Sequence, residues 1–414
     1  MIDVVKVPRI RFKGFNDPWE QRELGDCLSL LRDGTHGTHA DADEGPFLLS
    51  AKNIKDGELI INFENERKIS WNDFNIIHSS FSLAPGDVLM TIVGTIGEST
   101  ILKSAGQLTF QRSVAYLRPN ENSASSFLCS TIGTKEFKRQ LEERKSVSAQ
   151  PGVYLGDLKT INIFLPAREE QLRIGAFFSR LNDLIALHQR KHNKLCTVKK
   201  SLLEKMFPKP GKLEPEIRFE GFTDPWEQRK LGDFAVKRVE KNTGGVITET
   251  FTNSAERGVV SQLDFFDHEV ANAENVENYT IVEKNDFVYN PRISAAAPVG
   301  PINRCRLART GVMSPLYTVF RTDETVDQLY LEHYFKTDAW HPFMRLEGNS
   351  GARSDRFSIG DKTFFEMPVT CPSIKEQRQI ASAMESLDNL ITLHQRKLEL
   401  LRNIKKALLD GMFV

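Results

Sequence analysis

Much of this chain is written twice, and that limits its fold more than any other feature. PRIRFKGFNDPWEQRELGD at Pro8 to Asp26 returns as PEIRFEGFTDPWEQRKLGD at Pro215 to Asp233, identical at 15 of 19 positions. A second pair follows: Glu169 to Phe207 matches Lys375 to Phe413, 39 residues in each copy, at an offset of 206. Between these anchors lie 139 residues (Cys27 to Leu165) and 138 residues (Phe234 to Cys371) that do not align. The period far exceeds the 20–50 residues of a solenoid, so the pattern is a tandem duplication. At 414 residues, two units suit the length. Each has a common lead-in, a body of its own and a common closing segment.

The closing segments read as helices. Each follows a proline (Pro166, Pro372), has an acidic first turn, and runs without Gly or Pro in its second half until near its end. Leu181, His188, Leu195 and Leu202 recur every seven residues, with Leu184/Ile185, Lys191/His192, Val198 and Lys205/Met206 between them. Leu387, His394, Leu401 and Leu408 repeat this, with Leu390/Ile391, Leu398, Ile404 and Met412 between. An apolar seven-residue period over three to four heptads predicts a coiled-coil seam. The alternative is a helix lying flat on its own body. His188 and His394 are the midpoints of the two segments, so antiparallel pairing brings them level, where a polar seam residue can fix register. Thirty-nine helical residues span about 58 Å, on the order of 17 base pairs of duplex DNA.

The bodies read as α+β. Gly86 to Leu102, Leu108 to Pro119, Asn285 to Ile293 and Ser314 to Thr322 are rich in β-branched or aromatic residues and bounded by turn formers. Helical patterns cover Ser126 to Leu141 and Gln328 to Leu346. The proline-rich FPKPGKLEPE (Phe207 to Glu216) marks a linker. The expected fold is two globular α+β domains separated by two long helices that pair as an antiparallel coiled coil with pseudo-two-fold symmetry. Its segments are residues 1–165, 166–207, 208–371 and 372–414.

Lys+Arg and Asp+Glu both count 55, so nucleic acid is not gripped by net charge, although local basic patches are permitted. Each closing helix, Arg190 to Lys205 in the first copy, has a basic excess in its latter half that can steer toward DNA phosphate or an acidic partner surface or simply solvate the rod, solvation being the default. The chain lacks an apolar run of roughly 18 residues, and MIDVVKVPRIRF lacks the core of a secretory leader. Five scattered cysteines form no CxxC, so neither a disulfide framework nor a thiolate zinc site is expected. A cytoplasmic protein without membrane contact is the expectation.

A catalytic role finds little support. Neither GxxxxGK[ST] nor GxGxxG occurs. Asp17-Pro18-Trp19 and Asp224-Pro225-Trp226 have one proline where adenine methyltransferases have two, and read better as a turn and a tryptophan anchor against a closing helix. Nuclease-like triplets such as Glu66-Arg67-Lys68 are expected by chance. His36, His39, Asp41 and Asp43 look superficially like a metal cluster, but no third ligand is fixed on a glycine-rich loop, and no metal is expected.

FxGFxDPWEQRxLGD, DGTHGTHADADEGPFLLSAKNIKDGELI, the P-x-x-x-E-Q helix ending in LLxxMF, GVVSQLDFF, GPINRCRLARTGVMSPLYTVF and GARSDRFSIGD together resemble the specificity subunit of type I restriction–modification systems, over essentially the whole chain. The resemblance implies two target recognition domains, each reading half of a split, asymmetric DNA target, and two spacer helices that set the gap. It implies double-stranded DNA, two methyltransferase (modification) subunits and two restriction (translocase–nuclease) subunits as partners. S-adenosylmethionine, ATP and magnesium then belong to those partners, with no cofactor in this chain. It also makes the loop around Gly34, Thr35 and His36 structural or DNA-facing.

Base reading needs fork-shaped donors such as arginine and amides, while lysines and backbone amides hold phosphates. Two polar loops precede the closing helices, Glu143 to Gly152 and Glu347 to Ser358, carrying Lys145, Ser148 and Gln150, and Ser350, Arg353 and Arg356. Gln111 and Arg112, with Tyr289, Asn290 and Arg292, sit at strand-like edges as a second tier. The competing class is a coiled-coil scaffold whose bodies bind protein or carbohydrate; a hidden nuclease or methylase is the third.

Overall fold

The computed structural model describes residues 7–146, 151–265, 273–349 and 355–414. Its contacts divide into two units: Met1–Lys191 with His394–Val414, and His192–Leu393. The division runs through the middle of both long helices, not through the linker after Phe207. Each helix starts beside its own body and ends within the other unit's core.

The helices are Arg168–Met206 and Ile374–Met412, 39 residues each. Burial follows an alternating three–four spacing: Gln171, Ile174, Phe178, Leu181, Ile185 and His188 in the first helix, and His394, Leu398, Leu401, Lys405, Leu408 and Met412 in the second. That is the spacing of a heptad seam. Within the first unit, His188 meets His394 and Phe178 meets Phe413, so ascending numbers on one helix face descending numbers on the other. Within the second, Lys199 donates to Asp388, and Leu202, Leu203 and Met206 share a core with Ile380, Ala381 and Met384. Both pairings are antiparallel. One detail of the seam differs from the periodicity reading: Val198 and Ile404 are exposed, and the neighbouring Lys199 and Lys405 take the inward positions. Three–four spacing counted from Leu195 and Leu401 falls on the lysines, whose long stems cover apolar surface.

In the first body, Leu28–Asp33, Val114–Pro119, Val88–Thr91 and Ser99–Ile101 form an antiparallel sheet in that order. In the second, Ala235–Lys237, Thr318–Thr322, Phe287–Tyr289 and Ile302–Arg304 form a sheet of the same order and sense. Sequences that do not align therefore build the same sheet. What they share is a fully buried central strand, Val88–Thr91 in one and Phe287–Tyr289 in the other, and one ion pair. Arg118 grips Asp87 at 2.7 Å while Asp87 caps the turn at Ala84; Arg321 grips Asp286 at 2.7 Å while Asp286 caps the turn at Glu283. The helical stretch expected at 126–141 is two helices, Ser125–Ile132 and Lys135–Glu143, because Thr134 caps the second through Phe137 N. Likewise 328–346 divides into Gln328–Tyr334 and His341–Glu347, the latter starting with a proline in its first turn.

Each lead-in strand closes its unit. Glu20–Glu23 pairs with Asn162–Leu165, and Glu227–Lys230 with Pro368–Cys371, the strands that run into the long helices. Trp19 lies edge-on to Phe127 and Phe413, at 5.7 and 5.9 Å. Trp226 is edge-on to Tyr330, on which Phe207 stacks. The tryptophans are thus anchors, and the terminal Met-Phe of each long helix fills the core around the tryptophan of the unit in which it ends.

The E-Q pair at each helix start ties these pieces together. Arg11 makes a bidentate bridge to fully buried Glu170, 2.7 Å at both oxygens, and also donates to Asp17 O. Arg218 does the same with Glu376 (2.7 and 2.8 Å) and Asp224 O. The carboxylate raises the pKa of each guanidinium, against the opposing effect of burial. The adjacent glutamines reach the body: Gln171 accepts from Ala124 N and Gln377 from Asp327 N, in both cases at the start of a body helix.

Candidate nucleic-acid interface

In the first body the backbone brings three sequence-predicted segments to one sheet end. Gly34 lets the strand after Leu28 run hard against Phe110, where a Cβ would stand 2.1 Å from the Phe110 oxygen. Thr35 then pairs with Gln111, and Arg112 N donates to Thr35 O. Ser113 O accepts from Ile92 N, and Val93 pairs with Gly152, whose carbonyl takes Ser146 N. Residues 35–36, 111–112 and the two ends of the 145–152 loop therefore form one polar rim. Ser148 and Gln150 lie outside the described residues.

The side chains on this rim differ in how far they are committed. His36 is held by Asp33 at 2.6 Å, and Thr35 Oγ1 lies 2.8 Å from His39 Nε2. Lys145 is bonded to Glu142. Gln111 and exposed Arg112 make no side-chain hydrogen bond or ion pair with the described residues, which leaves a fork and an amide for a ligand. The superficial metal cluster is dispersed: His39 turns to Asp73 at 3.4 Å and Asp41 pairs with Arg67.

The second body repeats the arrangement. Arg292 pairs with Arg356 across two strand ends, as Val93 does with Gly152, through Ile293 N to Asp355 O and Phe357 N to Pro291 O. Both arginines thus share one rim. Among the described residues, exposed Arg292 makes no side-chain bond and Arg356 Nε makes no hydrogen bond, with an Asp355 carboxylate oxygen 3.9 Å away. Ser350 and Arg353 lie outside the described residues.

Tyr289 and Asn290 require correction. Tyr289 is 2% exposed, stacks on Phe364 and donates its hydroxyl to Val299 O, and burial pushes its pKa up. Asn290 is buried, donating to Asn253 O and accepting from Arg292 N. Both sit in the sheet interior, because neighbouring strands flank Phe287–Tyr289 on either side. Their work is to hold the strand end that presents Arg292.

An ion network missed in the sequence lies where the second body meets its helix segments. Glu332 takes Arg304 and Arg306, and Arg306 also forks onto Glu385 at 3.0 and 2.9 Å. His333, fully buried, lies close enough to Glu385 and Asp388 for the three to hold one metal ion. Arg306 and Lys199 already neutralise those carboxylates, and desolvation drives the His333 pKa down to about 3. The chemistry is that of a closed ion network with a neutral histidine. Among the described residues, no helix is long and apolar enough to cross a membrane.

Comparison with known proteins gives one family. The profile described as the type I restriction modification DNA specificity domain matches twice, at residues 16–197 and 223–403. A protein of Methanocaldococcus jannaschii named as the MjaX specificity subunit of a type I restriction enzyme is 22% identical over 413 residues, covering 95% of this chain and 92% of its own. The EcoBI specificity subunit of Escherichia coli is 26% identical over 215 residues, 49% of this chain and 44% of its own. The crystal structure of a type I restriction–modification S subunit from M. genitalium matches with a TM-score of 0.59 at 14% identity, covering 99% of both chains.

Proposed function

Since the chain belongs to the type I restriction–modification DNA specificity family, we propose that it selects the DNA sequence on which such a complex acts. Each body reads one half of a split, asymmetric target. The observation that carries this reading is the pair of equivalent rims: the same sheet end is built twice, with Gln111 and Arg112 on one copy and Arg292 and Arg356 on the other. Equal scaffolds with unequal donors suit two different half-sites. Phosphate contacts by the loops before the long helices supplement them.

The helices serve as spacer and dock. Exposed apolar residues recur at equivalent positions on their outer faces, Leu184 and Leu390, Leu187 and Leu393, Val198 and Ile404, with Leu400 beside them. Such rows on charged helices mark protein-binding surface, which favours docking of two modification subunits, with two restriction subunits joining for cleavage. S-adenosylmethionine, ATP and magnesium act on those partners, and this chain is a non-catalytic member of a cytoplasmic complex.

Mapping methylated adenines in a host carrying this chain with its modification subunit tests the reading. Two short sequences at a constant gap are expected. Inserting one heptad into each helix lengthens it by about 10 Å, and the gap should grow by about three base pairs with both half-sites unchanged. A contiguous target, or a gap that ignores the insertion, overturns it.

A further inference from the structure

The duplicated seam lysines meet different fates in the two units. In the second unit Lys199 donates to Asp388. At an offset of 206, the first unit has Lys405 in the place of Lys199, Asn182 in the place of Asp388 and Ser179 in the place of Glu385. Lys405 therefore keeps the inward seam position but loses the acids. Among the described residues it has no hydrogen bond or ion pair, and burial is the largest influence on its pKa, which it lowers. The Asn182 side-chain oxygen is likewise buried without a partner.

Lys405 and Asn182 line a cavity of about 520 Å³ lying between the first body and the helix segments of its unit. The charges on its wall do not balance. Lys135 pairs with Asp410, and Arg402 lies 3.8 Å from Asp56. That leaves Lys138, Lys405 and Lys406 against Glu98 alone. The Ser130 hydroxyl, also on the wall, donates to Ser126 O and keeps its lone pairs. A half-buried ammonium short of counter-charge is penalised, and the other repeat gives its lysine a carboxylate, Asp388.

We infer that the cavity binds a small, multiply charged anion of the phosphate class, whose oxygens take the ammonium groups of Lys405, Lys138 and Lys406. Three lysine ammonium groups are compact point charges and suit a polyanion better than a single carboxylate. The volume has room for a diphosphate, so a free small anion is the ligand put to the test. Nothing in this inference depends on how the bodies read DNA.

Thermal unfolding of the full chain in chloride buffer, with inorganic pyrophosphate titrated at constant ionic strength, is the test. A saturable rise in Tm is expected, on the order of a few degrees at one hundred times Kd. Lys405→Met should abolish the saturable part. Asn182→Asp recreates the lysine–aspartate pair of the second unit; it should raise Tm without ligand and cut the pyrophosphate response at least tenfold in affinity. No saturable rise in the parent chain, an equal rise in Lys405→Met, or an Asn182→Asp variant that binds as the parent does would each overturn the inference.

Discussion

The Nδ1 atoms of His188 and His394 lie 2.8 Å apart, at equivalent positions of the two long helices. One ring must donate and the other accept, so the pair tolerates one shared proton but not two N–H groups facing each other. A hydrogen-bonded polar pair at a seam specifies alignment at some cost in stability. Replacing both histidines with leucine should raise Tm while admitting shifted alignments. Short bismaleimide cross-linking between cysteines placed at 189 and 402, with Cys196 replaced by serine, reads the alignment. A single cross-linked species together with unchanged or lower Tm would refute the register role.

The same pair gives a pH dependence of known sign. Desolvation, then the positive fields of His394, Lys397 and Lys191, lowers the His188 pKa below its ordinary 6.5. The unfolded chain then binds more protons than the folded one between the two values. Stability is complete above about pH 6.5 and falls as pH drops toward the folded pKa. Denaturant midpoints from pH 7.5 to 5.5 should decline in the parent chain and decline less in the double-leucine variant; equal slopes would show that other groups carry the effect.

The Arg218–Glu376 clasp predicts a large loss on one-sided removal. Arg218→Ala strands a carboxylate that is fully buried and should cost about 3–5 kcal/mol, seen as a lower urea midpoint for the second unit. Replacing both partners with methionine should recover most of that loss. A small effect of the single change would mean that water reaches Glu376.

How far the sequence reveals this fold depends on the range of the interaction. The long helices, their antiparallel sense and the tryptophan anchors follow from period and repetition. By sequence alone Tyr289 and Asn290 read as lying at a strand-like edge; only the pairing of strands distant in sequence shows that they are interior. The inward turn of Lys199 and Lys405 was hidden because hydropathy favours Val198 and Ile404, whereas helix phase decides. The Arg–Glu clasps span about 160 residues, yet a signal existed: Arg11 and Glu170 both recur in the second copy, as Arg218 and Glu376.

The two rims should be separable by mutation. Arg112→Ala should weaken binding to DNA altered only in the second half-site, and Arg356→Ala or Arg292→Ala to DNA altered only in the first. A lost arginine–base fork is worth about 1–3 kcal/mol, or roughly ten- to a hundredfold in Kd. Competition binding by the assembled complex measures it. Equal losses on both half-sites would indicate phosphate contacts instead of base reading.

The outer helix rows make the last prediction. Leu187 is 41% exposed and Leu400 is 59% exposed, both in the first unit and both off the seam. Glutamate at either position meets water in the isolated chain, so Tm should stay within about 2 °C, as for surface changes of about 0.5 kcal/mol. In the assembled complex the same charge would be buried against the modification subunit without a partner, which truncation and charge-burial data place among the severe interface lesions. Co-elution with that subunit on size exclusion should therefore fall at least tenfold in apparent affinity, and Leu187→Ala should retain most of it. Normal co-elution of both glutamate variants would move the dock to another face of the helices.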